Sequence, residues 1–345
     1  MKAIVQRATG APDVLVAEEI PVPSVRPTDV LIRVAACGVC FHDIVVRNGI
    51  FRRRVSLPLV PGHEVAGTVE ALGERVTRFS IGDRVCTTQR RSVCGQCADC
   101  RTGFETTCSE QEFMGDAHLN GGYAEFVAVD ETTIAHVPEG VSLDDAAITA
   151  CAIGTELNAI RDVGIVRLGE RVLVTGASGG LGVHGVQLAS AAGAHVIAIT
   201  SSEEKAEIVR ALGAHDALVV GRGEDFSRSV KAATEGHGVD VVIDNVGNAV
   251  FKPVLRSLAR HGRWVMLGEL AGEFVPFNPA QLFLDHVSML SAISCTRDQL
   301  EASLRLVDRG QVRPIIAKRL RLAEAAEAHR LMESGSVTGR IVLTP

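Results

Sequence analysis

The chain has 345 residues, enough for about two domains, and its 46% hydrophobic and 22% charged residues are an ordinary globular balance. A net charge of −6 and 4% aromatic residues leave neither a basic field nor stacking platforms for nucleic acid. No apolar run approaches the ~18 residues of a membrane helix, and Met1–Gly10 lacks the apolar stretch of a secretory signal, so the expectation is a cytoplasmic protein with a small-molecule substrate, no nucleic acid and no membrane.

From Lys2 to about His136 short strands separated by Gly/Pro turns are predicted at Lys2–Gln6, Val14–Glu19, Val30–Ala36, Val65–Leu72, Arg84–Thr87 and Tyr123–Val129, an irregular β domain. Ser142, with Asp145 three residues on, predicts a capped helix that carries Cys151. From Arg171 the texture changes. Strands at Arg171–Thr175, His195–Thr200, Ala217–Val220, Val239–Asp244 and Arg263–Leu267 alternate with helices at Leu181–Ala192, Glu203–Leu212, Phe226–Thr234 and Val250–Leu258. That alternation predicts a parallel sheet covered by helices on both faces. Gly193 and Gly213 end two of the helices, as left-handed residues do. Helices Asp298–Arg309 and Leu322–Glu333 and a strand Arg340–Leu343 close the chain.

The run Val172-Leu-Val-Thr-Gly176-Ala-Ser178-Gly179-Gly180-Leu181-Gly182 sets a glycine cluster between a strand and a helix. Gly179 lets a pyrophosphate approach the backbone, Gly182 lets the helix pack closely, and the helix N-terminus offers free N–H groups to phosphate. The next strand ends at Thr200-Ser201-Ser202, where an NAD site usually has a carboxylate for the ribose hydroxyls. Ser201 with Glu204 reads as a capping box. With Ser201, Ser202 and Lys205 as donors and no carboxylate to repel a 2′-phosphate, NADP(H) is favoured over NAD(H). Gly268, after the strand at Arg263–Leu267, joins the expected cofactor-binding set.

Nine cysteines without a signal peptide predict thiols that serve metal sites or the core. Cys94, Cys97, Cys100 and Cys108 supply four thiolates within fifteen residues, the pattern of a closed structural zinc site. Cys40, His63 and Cys151 are dispersed, and each alone reads as an ordinary core residue; Cys37 reads as a core thiol. Together, two thiolates and an imidazole would leave a fourth tetrahedral position open, as in a catalytic zinc site. Asp43 and Glu64, next to those residues, could orient them.

These segments resemble the zinc-containing medium-chain dehydrogenases/reductases of the alcohol dehydrogenase superfamily over nearly the whole chain: Gly38-Val39-Cys40-x-x-Asp43, Gly62-His63-Glu64-x-x-Gly67, Gly82-Asp83-Arg84-Val85, the four-cysteine stretch, the glycine turn and Gly339-Arg340-Ile341-Val342-Leu343. The resemblance implies a GroES-like catalytic domain over 1–152 and 294–345 with a structural-zinc lobe at about 90–110, and a Rossmann dinucleotide-binding domain over 153–293. It implies two zinc ions per subunit and a homodimer or homotetramer. It further implies Cys40, His63 and Cys151 as catalytic zinc ligands with Glu64 beside the metal, Thr155 near the nicotinamide and Arg340 near the pyrophosphate.

Most such enzymes carry Ser or Thr where this chain has His42. Imidazole can still pass a proton; the alternative is that His42 only hydrogen-bonds cofactor or backbone. The segments around Cys40, His63 and Gly176 are also similar to archaeal acryloyl-CoA reductases. The leading expectation is alcohol/carbonyl interconversion with zinc as Lewis acid. The alternative is NADPH-dependent reduction of an enone or enoyl thioester, for which Arg52-Arg53-Arg54 could clamp a coenzyme A phosphate, although a solvated surface run is the favoured reading of those arginines; a non-catalytic nucleotide-binding relative is the third reading. Phe41, Ile50, Phe51, Phe113 and Cys295 are candidate pocket walls, with Phe41 and Phe51 equally readable as core.

Overall fold

The structure is a computed structural model that describes residues 1–50, 56–116, 119–269 and 271–345, so Phe51 and Arg52-Arg53-Arg54 lie outside the described residues. The chain divides into two compact units. One comprises Met1–Gly154, Ser294–Gly310 and Ile316–Pro345; the other comprises Thr155–Ile293 and Gln311–Ile315.

Among the described residues, the first unit is built on a seven-stranded sheet. Its order runs Ile316–Arg321, Arg340–Thr344, Asp29–Val39, Glu64–Leu72, Arg84–Thr87 and Ile134–His136, with Phe126–Asp130 pairing separately with Asp29–Val39. The central strand Asp29–Val39 is buried on both faces apart from Arg33 and Ala35, which fits its run of Val, Leu, Ile and Ala. Val30, Ile32, Val39, Val65, Ile341 and Leu343 form one core cluster, each burial stabilising by roughly 1.5–3 kcal/mol.

Several boundaries shift from the sequence reading. Pro12–Val14 winds as a 3-10 turn before a strand that starts at Leu15. Tyr123 precedes the strand Phe126–Asp130; Gly121 and Gly122 bend the chain so that Tyr123 donates its N–H to Pro61 and accepts from Ile4. A helix over Phe41–Asn48 had no sequence signal, because its N-cap is Cys40 rather than Ser, Thr, Asn or Asp. The strand Ile316–Arg321 was also unexpected; it pairs parallel with Arg340–Thr344.

The second unit contains a six-stranded sheet whose neighbours are all parallel. The order is Asp216–Val219, His195–Thr200, Arg171–Val174, Val239–Asp244, Leu258–Met266 and Ser288–Ser291. In chain order that is 3-2-1-4-5-6, the doubly wound arrangement, with its switch point between Arg171–Val174 and Val239–Asp244. Gly193 and Gly213 both hold positive φ beyond helix ends, at 80° and 109°. No helix among the described residues is long and apolar enough to cross a membrane.

Candidate metal centres and dinucleotide turn

Three elements of the first unit bring the dispersed residues together. Cys40 follows the last residue of the central strand and caps the helix Phe41–Asn48. His63 directly precedes the strand Glu64–Leu72. Cys151 sits in a π-helical turn, Thr149–Gly154, that follows a helix capped by the Ser142 side chain accepting from the Asp145 N–H; such wide turns recur at functional sites. The ligand atoms of Cys40, His63, Glu64 and Cys151 all lie within 4.8 Å of one another, and all four residues are buried.

The spacing fits a metal. Zn–S bonds of 2.3 Å in a tetrahedron give sulfur–sulfur edges of about 3.8 Å, and the sulfurs of Cys40 and Cys151 are 3.8 Å apart. His63 turns its Nδ1 to Asp43 Oδ1 at 3.1 Å, which leaves Nε2 facing the cluster. Both carboxylate oxygens of Glu64 are buried without a hydrogen bond of good geometry, as expected of a group that shares its site with a cation. Gly38 makes room for it: a Cβ there would stand 2.2 Å from Glu64 Oε2.

The electrostatics agree. The hydrogen bond from Cys151 holds the Cys40 thiol well below its ordinary range, aided by the Arg340 charge, while the same bond pushes Cys151 up. The pair therefore gives up one proton readily and keeps the second. Burial lowers His63, but the Asp43 carboxylate overrides it and raises the imidazole well above its usual value. Burial pushes Glu64 up to about 7 against the pull of Arg340.

Arg340, which the resemblance places near a pyrophosphate, lies beside the cluster. Its guanidinium is buried in the first unit, 3.0 Å from Glu64 Oε1 and 3.2 Å from the Cys151 sulfur. Nothing local in the sequence marks that contact; the strand Arg340–Thr344 delivers it by pairing with the central strand. His42 sits beside the cluster with its ring edge-on to His63 at 5.2 Å and tilted to Phe113 at 5.1 Å. Its Nε2 is 3.9 Å from Asp116 Oδ2, and burial together with the His63 charge lowers its pKa. Of the other wall candidates, Ile50 is exposed, and Cys295 belongs to the core with Ile148 and Ala150.

The second cysteine group is also assembled, with the four sulfurs of Cys94, Cys97, Cys100 and Cys108 within 4.8 Å of one another. The chain winds tightly around them: backbone N–H groups of Cys94, Cys97 and Cys100 donate to the sulfurs of Cys108, Cys94 and Cys97. Donation from the backbone at Gln96 and Cys97 brings the Cys94 thiol down to about 7. Four converging sulfurs suit a closed tetrahedral ion.

In the second unit, Gly176 (φ 56°) turns the chain out of the strand Arg171–Val174, and a ten-residue helix starts at Gly182. A Cβ on Gly182 would lie 2.3 Å from the Gly176 carbonyl oxygen, so only glycine lets the helix start so close to the turn. Ser178, Gly179, Gly180 and Leu181 make up the remainder of the turn. The strand ends on either side are locked: Thr175 donates to Asp244 Oδ1 at 2.6 Å, and Asn245 donates from its backbone to Thr175 Oγ1 and from its side chain to the Thr175 carbonyl. Gly268 packs on this end, where a Cβ would be 2.6 Å from the Asn245 carbonyl oxygen. The turn thus presents a glycine-lined helix N-terminus at the switch point, the features a pyrophosphate requires. Thr155, in the same unit, is buried at the start of a helical turn.

Thr200 ends its strand and is buried, while Ser201 is exposed. The expected Ser201–Glu204 capping box does not form. Ser202, extended at φ −156° and ψ 158°, is the N-cap, its hydroxyl accepting from the Lys205 N–H. Ser201 is instead 3.4 Å from the Lys205 ammonium.

Sequence reasoning also missed Glu156. It is wholly buried, next to the helix Gly182–Ala191 where a Cβ on Gly185 would lie 2.6 Å from Glu156 Oε2. Burial pushes its carboxyl up to about 8, with the Asn245 side chain pulling the other way. A carboxyl whose pKa is raised on folding stabilises fully below its unfolded value near 4.5 and loses that contribution as pH rises through 8. By pH 7 the loss is on the order of 3 kcal/mol. Glu156→Gln is therefore expected to raise the thermal midpoint, with a gain that grows between pH 5 and 8 and levels off above; a gain independent of pH would contradict this environment for Glu156.

A family model described as "Alcohol dehydrogenase GroES-like domain" matches residues 26–139, and one described as "Zinc-binding dehydrogenase" matches 180–309. Among curated relatives, an acryloyl-coenzyme A reductase of Sulfurisphaera tokodaii is 33% identical over 329 residues, covering 95% of this chain and 96% of the relative. An NAD-dependent alcohol dehydrogenase of Saccharolobus solfataricus is 32% identical over 337 residues, covering 95% and 96%. Among solved structures, the crystal structure of AibC matches with a TM-score of 0.92 at 42% identity, covering 100% of this chain and 96% of that one.

Proposed function

The chain belongs to the zinc-binding dehydrogenases with an alcohol dehydrogenase GroES-like domain, and from that premise we propose that it transfers hydride between NADP(H) and an alcohol or carbonyl substrate. The observation that carries this reading is the buried convergence of Cys40, His63, Glu64 and Cys151 within 4.8 Å. Cys40, His63 and Cys151 hold a zinc ion, and the four-cysteine lobe holds a second. When bound, the zinc supplies a Lewis acid and the dinucleotide a hydride.

The side chains supply the remainder. Asp43 fixes the His63 ring by accepting at Oδ1, 3.1 Å away. Arg340 balances the charge of Glu64. His42, held largely neutral by burial, accepts the hydroxyl proton of an alcohol at a ring nitrogen and returns it during carbonyl reduction. Phe113, packed on both imidazoles, keeps that side of the cluster apolar. The glycine turn Gly176–Gly182 binds the pyrophosphate, and Thr155 and Gly268 belong to the nicotinamide side of the dinucleotide.

For the ribose, Ser201 and Lys205 provide donors for a 2′-phosphate, and no carboxylate ends the strand His195–Thr200. Fluorescence titration is expected to show NADPH bound at least about tenfold more tightly than NADH, a difference of 1.4 kcal/mol; tighter NADH would overturn the preference. Two zinc ions per chain, measured alongside cofactor oxidation over aldehydes, ketones and enoyl thioesters, test the whole reading.

Conjugate reduction of an enoyl thioester is the second reading. It is favoured by the similarity to an acryloyl-coenzyme A reductase and by His42 standing where a hydroxyl is usual. Faster turnover of acryloyl-CoA than of any simple aldehyde in the same screen would establish it over the first.

A further inference from the structure

Behind His63 the first unit contains a buried polar chain that neither the four cluster residues nor the dinucleotide turn accounts for. Asp43 Oδ1 accepts from His63 Nδ1, and its Oδ2 accepts from the Cys40 N–H at 2.9 Å and from the Tyr123 hydroxyl at 3.1 Å. Tyr123, the one tyrosine of the sequence, is fully buried. Its oxygen lies 3.2 Å from His329 Nε2, and His329 Nδ1 lies 3.2 Å from Arg47 Nη1. Arg47 pairs in turn with Glu333, whose side chain reaches the surface.

The donors and acceptors can be assigned in one way only. A guanidinium has no lone pair to offer, so Arg47 donates to His329 Nδ1. His329 Nε2 then carries the ring proton and donates to the Tyr123 oxygen. Tyr123 must pass its own proton toward Asp43, which leaves Asp43 Oδ1 to accept from His63 Nδ1. Whenever His63 is neutral, as a metal ligand must be, its lone pair is thereby on Nε2, the atom that faces the cluster. Burial brings His329 down to about 4, consistent with the neutral ring this requires. His329 lies on the helix Ala325–Ser334 and Tyr123 in the bend after Gly122, so the chain ties two segments distant in sequence to the carboxylate that orients the imidazole.

We propose that Tyr123, His329 and Arg47 are positioning residues: a one-directional hydrogen-bonded brace that holds Asp43, and through it the tautomer and aim of His63, for metal binding at the Cys40–His63–Cys151 cluster. The proposal rests on the reading of that cluster as a zinc site.

Tyr123→Phe deletes the hydroxyl and keeps the ring. With Asp43 missing one of its three donors, the cluster metal is expected to pass to a chelator about 10–100-fold faster, and the visible bands of the cobalt-substituted protein are expected to shift. The four-cysteine metal is the internal control and should leave at the wild-type rate. His329→Leu breaks the brace one step further out and should act in the same direction. His329→Gln, whose amide can still donate to the Tyr123 oxygen, should restore part of the retention, and these two variants carry the test if Tyr123→Phe does not fold. Wild-type release rates and cobalt bands in Tyr123→Phe or His329→Leu would overturn the brace, as would release accelerated equally at both metals, which reports general loosening. Wild-type protein holding only the four-cysteine metal would instead remove the reading of the cluster itself.

Discussion

Replacing His63 with alanine is expected to empty the cluster of metal and lower kcat/KM more than about a thousandfold, a loss of roughly 4 kcal/mol of transition-state stabilisation. The size follows from the donor set: with the imidazole gone, two thiols and a carboxyl remain in a fully buried site, and Asp43 loses a hydrogen bond that nothing else in the cluster replaces. An unpartnered buried acceptor costs about 1–3 kcal/mol, so some thermal stability should be lost as well. The glycine turn lies in the other compact unit and does not involve His63. Cofactor affinity, measured by fluorescence titration, should therefore stay within a factor of about three of wild type, under 1 kcal/mol. Metal analysis should fall from two zinc ions per chain to one. Undiminished turnover with a single zinc would remove the metal from the mechanism.

The second large effect is expected in the lobe. Between Arg91 and Glu110, Thr106 and Cys108 are the buried residues, so this segment has almost no apolar core of its own. Its shape depends on four sulfurs, their backbone donors and Arg90, which reaches in to the Thr106 carbonyl and the Gln111 side chain. Binding of a structural ion then becomes folding free energy, of order 10 kcal/mol in small zinc modules. Cys100→Ser should release the lobe metal, expose the segment to proteolysis between Arg90 and Gln111, and lower the thermal midpoint. The Cys40–His63–Cys151 metal should remain. A lobe that stays protease-resistant after losing its ion would show that Arg90 and the local turns suffice.

The two metal groups were legible to different degrees, and the reason is distance along the chain. Cys94, Cys97, Cys100 and Cys108 are close enough for spacing alone to imply one ion. Cys40 and Cys151 are separated by 111 positions, so donor chemistry could suggest the set but spacing could not, and the resemblance to a family carried the assignment. The parallel sheet was readable because alternating strand and helix texture is local. The cap of the helix Glu203–Ala211 moved by one residue, from Ser201 to Ser202, because the backbone stays extended through Ser202 and two adjacent serines look alike in sequence. Tyr123, His329 and Glu156 carried no such signal, and Arg340 stood out only through the resemblance, not through its contact with Glu64. Their roles come from register and from glycines that permit close approach, as at Gly38 and Gly185. A solitary buried tyrosine after a glycine pair was the nearest thing to a clue.

The direction of the chain behind His63 has a consequence for proton traffic. A proton delivered to Asp43 could travel outward only if each member in turn accepted on one side and released on the other, and Arg47 has no site at which to accept. That route is a dead end, insulating the imidazole from the solvent that reaches Glu333. On the proposed function, protons exchanged with a substrate would have to pass through groups outside this hydrogen-bonded chain, such as His42, whose Nε2 is 3.9 Å from Asp116 Oδ2.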